Sequence, residues 1–148
     1  MTPGTDDYAE RVARSFARQG LMDTLGASLL AVRPGEVEIA MRIRPEVSQQ
    51  HGFAHAGAVA AIADSAAGFA GLTLMPAGAG VLTVEFKINL MAPAGGERLV
   101  ARGRVVKAGR TLVIAQAEVE AERAGARKAV ALLTATLMAV EGRDGIAD

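Results

Sequence analysis

The chain contains no cysteine. Disulfides, thiolate nucleophiles and thiolate metal sites are therefore excluded. Tryptophan is absent and aromatic residues make up only 3% of the chain, so Ala, Val, Leu and Gly must build the core through close backbone approach. Net charge is also lacking, since 16 Lys and Arg balance 16 Asp and Glu. A nucleic-acid-binding domain carries a basic excess, so no nucleic-acid partner is expected. There is no Gly-x-Ser-x-Gly elbow and no Gly-Lys-Ser/Thr phosphate loop, which removes two common routes to hydrolysis. No apolar run reaches the ~20 uninterrupted residues of a membrane span, because the best candidate is broken by Asp64. No membrane partner is expected. The first residues, Met1 to Asp7, are acidic and lack the apolar stretch of a signal peptide, and a chain without cysteine fits the cytoplasm.

What remains is a half-hydrophobic chain of 148 residues, which is globular in composition and the size of one domain spanning 1–148. Residues 5–19 read as an amphipathic helix, with Tyr8, Val12 and Phe16 at i, i+4, i+8 and Asp6 and Asp7 at its positive end. Gly20 is the expected stop. Ala27 to Val32 and Val37 to Ile43 read as two strands of a hairpin turned at Pro34-Gly35, the second with strict apolar alternation. A polar loop at 46–55 holds both histidines, and an apolar helix follows at 56–71. Beyond Pro76 to Gly80 the chain is strand-rich. Leu82, Val84, Phe86, Ile88 and Leu90 alternate with Thr83, Glu85, Lys87 and Asn89. Three further strands follow, turned at Gly96, Gly109-Arg110 and Gly125, and the four are expected as an antiparallel meander. Residues 142–148 are expected to fray. One buried helix on one face of an antiparallel sheet is an α+β architecture. Twelve of residues 56–71 are Ala, Gly or Ser, so the helix is thin and a curved sheet can wrap around it closely.

Asp64 lies in the middle of that helix, which contains no Lys or Arg to pair with it. Burying an unpaired carboxylate costs several kcal/mol or raises its pKa, and such residues concentrate at catalytic sites. Gly57 falls in the first turn, where backbone N–H groups lack helical partners and, with the dipole, form a ready site for an anion or oxyanion. Gly57 and Asp64 are seven residues apart, on one face but about 10 Å apart along the axis. One carbonyl cannot touch both. A second helix running antiparallel across a two-fold axis would set its Asp64 opposite this Gly57, which predicts at least a homodimer with two composite sites. His55 is placed to cap the helix or orient the loop. His51 and His55 are spaced i, i+4, but they precede the helix, enclose Gly52 and lack the Glu of a His-Glu-x-x-His pair, so no metal site is expected.

Taken together, His55-Ala-Gly57, Ala63-Asp64, Thr83 to Asn89, Met91-Ala-Pro93-Ala and Val106 to Arg110 resemble the hotdog-fold acyl-CoA thioesterases, in particular the phenylacetate-pathway (PaaI-type) branch. The resemblance runs from about residue 22 to 140. It implies a hotdog fold, a curved antiparallel sheet around one long buried helix, preceded here by the amino-terminal amphipathic helix. It implies an acyl-CoA substrate, no cofactor, and a homotetramer built as a dimer of dimers. It also implies roles: Asp64 as general base or nucleophile, the Gly57 N–H polarising the thioester carbonyl, Thr83 helping to place the water, and Gln49 contacting the carbonyl. Two positions depart from the family pattern: Ala56 replaces a glycine and Gln49 an asparagine. Lys107 and Arg110, at a hairpin tip, are candidates to meet the phosphates of coenzyme A. A hotdog hydratase or dehydratase using His55 and Asp64, and a non-catalytic acyl-CoA-binding protein, are the alternatives.

Overall fold

The computed structural model describes residues 1–148, and its first helix, α1 (Tyr8–Ala17), buries Val12 completely. Phe16 from the same face meets Phe69 with ring centroids 6.0 Å apart. Gly20 does not end this helix; it opens a second, short one, α2 (Gly20–Thr24). Strands β1 (Ala27–Arg33) and β2 (Glu36–Arg42) form the expected hairpin, with Gly35 at φ 78° in the turn. A 3₁₀ turn at Pro45–Val47 leads to the histidine loop and then to α3 (Ala56–Leu72). The chain continues through β3 (Gly80–Leu90), β4 (Arg98–Ala108), β5 (Leu112–Arg123) and β6 (Ala126–Val140). All six strands join one antiparallel sheet in the order β1-β2-β4-β5-β6-β3, and α3 lies across one face. This is the α+β hotdog architecture.

The expected four-strand meander is corrected by this order. Strands β4, β5 and β6 do run as neighbours, but β3 pairs with β6 at the outer edge while β4 pairs with β2. Apolar alternation specifies which side chains face the core and is silent about which strand lies beside which. Residues 91–97 therefore cross the molecule instead of making a tight turn. Along the way Met91 N–H donates to the Val130 carbonyl (2.8 Å) and the Ala94 carbonyl accepts from Ala54 N–H (2.9 Å). The crossing segment is thereby tied to the loop that precedes α3.

Small residues bring helix and sheet together. Ala63, Ala66, Ala67 and Ala70 are completely buried. At Gly103 of β4, a Cβ would stand 2.1 Å from the Ala66 carbonyl oxygen, so the helix backbone rests directly on the sheet backbone. The carboxyl-terminal segment, expected to fray, instead folds back: Ile146 packs on Gly80, and the buried Arg11 guanidinium pairs with Asp148 while donating to the Met75 and Pro76 carbonyls, both at 2.9 Å. No helix is long and apolar enough to cross a membrane.

Gly103→Ala is expected to destabilise the fold by about 3 kcal/mol, at the upper end for overpacking, because neither backbone can yield without breaking its own hydrogen bonds. Thermal unfolding checks this; a midpoint unchanged from wild type would mean that helix and sheet do not meet there.

Candidate active site

The carboxylate of Asp64 is half-buried at the middle of α3 and makes no ion pair. Its one hydrogen-bond donor is Thr83, whose hydroxyl meets Oδ1 at 2.8 Å. Loss of hydration pushes the Asp64 pKa above the ordinary carboxylate value, and the Thr83 hydrogen bond offsets part of that rise.

A β-bulge creates this contact. If β3 alternated strictly, Thr83 would point away from the face that carries Phe86, Ile88 and Leu90. Pairing with β6 shifts register between Thr83 and Glu85: Thr83 stands opposite Leu137, whereas Glu85 stands opposite Thr136. Val84 is the extra residue. The slip turns Thr83 onto the core face beside Leu137, so it shares that face with Phe86 and Ile88, which stand opposite Ala135 and Leu133. The Glu85 carboxylate goes to the other face, where it accepts from the Thr136 hydroxyl.

Asp64 and Thr83 open into a small polar cavity of about 240 Å³. Two residues that sequence reasoning missed complete it: Gln19, after α1, accepts from the Ser65 hydroxyl at 3.1 Å. Ser65 adjoins Asp64 in the sequence. Gln19 carries no local signal, because only the folding of α1 over α3 brings it there.

The other candidates gather at the head of α3. His55 is the N-cap, extended at φ −63° and ψ 139°, and its Nδ1 accepts from the Gly57 N–H at 2.8 Å. A neutral imidazole that accepts at Nδ1 carries its proton on Nε2. The Gly57 amide, expected to polarise a carbonyl, is thus engaged by the cap within the chain. The Ala56 N–H, one residue earlier, has no acceptor among the cap and loop bonds. Gln49 stands nearby. Its side-chain oxygen accepts from the His51 N–H, which leaves its NH₂ for a ligand. Gln49, His55 and Ala56 share a mainly apolar cavity of about 540 Å³ with Phe53 and with Leu90 to Ala94 of the crossing segment.

Within one chain, these two groups stay apart: the cavity at the helix head and the cavity at Asp64 have no lining residue in common. Lys107 and Arg110 join neither. Lys107 pairs with Ile114 after a register shift at β4, on the face turned away from α3, and Arg110 lies in the exposed β4–β5 turn. No three His, Asp or Glu side chains cluster closely enough to hold a metal ion.

The third feature is the free edge of β3. Leu82, Val84, Phe86 and Leu90 are 41%, 58%, 45% and 54% exposed, and the strand's outer edge has no partner in the chain. An uncovered apolar edge strand is a template for pairing with another strand.

Comparison with known proteins places these features. The family model described as the thioesterase superfamily matches residues 51–126, which include the helix head, Asp64, Thr83 and Arg123. A thioesterase family protein from Silicibacter pomeroyi is 52% identical over 91% of this chain and 99% of its own, with a TM-score of 0.90. A variant of the phenylacetic acid degradation protein PaaI from Thermus thermophilus is 32% identical over 80% of this chain and 96% of its own, with a TM-score of 0.69. A thioesterase from Haemophilus influenzae shares the fold at 19% identity, covering 98% of this chain and 99% of its own, with a TM-score of 0.85. Comparison with curated proteins finds no match.

A carboxyl whose folded pKa is raised favours folding when protonated and opposes it when ionised, relative to the unfolded chain. Asp64→Asn is therefore expected to raise the melting temperature at neutral pH. The gain should shrink as pH falls toward 3.8, the ordinary value. Melting curves across that range check it; a loss of stability at neutral pH would show that the ionised Asp64 is well solvated or paired.

Proposed function

The chain belongs to the thioesterase superfamily and is a thioester hydrolase, and from that premise we propose that it hydrolyses an aryl- or medium-chain acyl-CoA to the free acid and CoA at sites shared between two copies of the chain. The observation that carries the reading is the separation of an unpaired, hydrogen-bonded carboxylate from an open helix head along one thin helix. Each half lacks what the other holds. Pairing of the β3 edges about a two-fold axis covers Leu82, Val84 and Phe86 and joins two sheets into one. It also sets the two α3 helices antiparallel, so that the Asp64 of each faces the helix head of the other.

In such a site the thioester carbonyl lies against the first turn of α3. The free Ala56 N–H polarises it, aided by the helix dipole, with the Gly57 amide behind it holding His55 in place. The Gln49 NH₂ is within the same cavity to steady the carbonyl. Asp64 of the facing copy takes a proton from water, while Thr83 holds Oδ1 and leaves Oδ2 toward the substrate. Hydroxide adds to the carbonyl carbon, and the tetrahedral oxyanion collapses with cleavage of the carbon–sulfur bond. The thiolate leaves and is protonated. Residues present at both halves suffice for these steps without a metal or redox group. The apolar lining suits an acyl group without charge, and pairing of such dimers gives the expected tetramer.

Two substitutions test the shared site. Asp64→Asn removes the base and is expected to lower kcat by about 10² or more. Ala56→Pro removes only the free amide: proline is tolerated at the first helical position, and His55 already has the extended backbone that a following proline requires. It is expected to lower kcat by about 10². Mixed one to one with subunit exchange, the two inactive variants should recover about a quarter of wild-type activity, because half the dimers are hybrids with one complete site in two. No recovery, with exchange verified by mass spectrometry, would place each site within one chain.

The pH profile of kcat/KM is expected to fall on the acid side through one ionisation lying above the ordinary carboxylate range, since desolvation outweighs the Thr83 hydrogen bond. Asp64→Glu should displace that limb. A rate that stays flat down to about pH 4 would remove Asp64 from the rate-controlling step.

A further inference from the structure

The cavity at the helix head continues into a second groove of about 490 Å³ and shares Phe53, Pro93 and Val130 with it. Three cations line this groove, Arg123, Arg127 and Lys128, and no acidic residue does. The register of β5 and β6 sorts them. Arg127 stands opposite Glu122 and is engaged by Glu120 (3.6 Å) and Glu122 (3.1 Å). Lys128 stands opposite the buried Ala121, and Arg123 lies two residues beyond Ala121 on its strand. Both therefore project from the face that α3 covers, just past the end of the helix. Neither forms an ion pair.

The turn between them is braced. Ala124 has a positive φ of 49°, uncommon without glycine, and Gly125 follows at 79°. The Ala124 N–H donates to both Glu97 carboxylate oxygens at 3.1 Å. Glu97 follows the segment that walls the first cavity, so one carboxylate ties the basic turn to the pocket. Two unpaired cations are thus held in advance beside an apolar channel that leads to the helix head.

We propose that Arg123 and Lys128 bind the phosphate groups of the coenzyme A nucleotide, with the pantetheine arm running over Phe53 and Pro93 toward Ala56. The proposal rests on the acyl-CoA reading above and names the part of the substrate that reading leaves unplaced. Phosphate oxygens carry the charge that two fixed cations match, and the groove is continuous with the cavity where the thioester sits. Lys107 and Arg110, the residues expected for this task, occupy the β4–β5 hairpin tip at the other end of the sheet and line neither cavity.

The test is the double variant Arg123→Gln/Lys128→Gln, with Arg127 left in its ion pairs. Kinetics are measured with an acyl-CoA and with the N-acetylcysteamine thioester of the same acid, which lacks the nucleotide, and free CoA binding is measured by calorimetry. KM for acyl-CoA and Kd for CoA are expected to rise about tenfold or more, with kcat retained and the N-acetylcysteamine thioester hydrolysed as by wild type. Lys107→Gln/Arg110→Gln should leave CoA affinity unchanged. A double variant that binds CoA as tightly as wild type overturns the proposal and leaves the thioesterase reading intact, as does equal loss on both thioesters. CoA binding that depends on Arg123 and Lys128, in a wild-type protein that hydrolyses no acyl-CoA, would overturn the acyl-CoA reading and leave the binding site standing.

Discussion

The contact of the Ala66 carbonyl region with Gly103 sets the terms for the rest of the molecule. A helix can lie backbone to backbone on a sheet only where both surfaces carry almost no side chains. Here alanine supplies one surface and glycine the other. That closeness lets strands as long as β5 and β6 curl around a single helix, on which no cation pairs with Asp64. The carboxylate is served instead by a short side chain from an edge strand, Thr83. Its raised pKa follows from the same geometry that holds the core together.

Much of this was legible in the residues. Alternation in β2 and the apolar length of α3 marked the core faces, and Asp64 was conspicuous because nothing near it in sequence could neutralise it. Thr83 was harder to read. Its own strand pattern points it outward, and only the pairing of β3 with β6 reveals the register slip that brings it in. The strand order was illegible for a related reason: side-chain periodicity does not say which edges meet. The His55 cap was legible, but its choice of the Gly57 amide was not, because a cap competes with a ligand for the same donors and sequence shows only that donors are present. Gln19 and the folded-back tail depend on contacts between segments far apart in the chain.

The crossing segment 91–97 links these features. It replaces a hairpin that the sequence pattern allowed, and in doing so it supplies one wall of the cavity at the helix head. It also leaves β3 alone at the sheet edge, with its apolar residues uncovered. Pocket and exposed edge are two results of one choice of strand order. A meander with the same residues would have buried the edge and lost the pocket.

The extra residue at Val84 gives this chain a particular pattern of tolerance to change. Its side chain is exposed, so replacement by another residue disturbs little of the core. Its position is another matter: Thr83 stands three residues before Phe86, an odd interval, so closing the bulge with every residue kept would send the Thr83 hydroxyl to the far side of the sheet, whereas losing Val84 itself would leave Thr83 two positions from Phe86 and still on the core face. A slip of one residue in the pairing of β3 with β6 would thus detach Thr83 from Asp64, while loss of the extra residue would keep the two together.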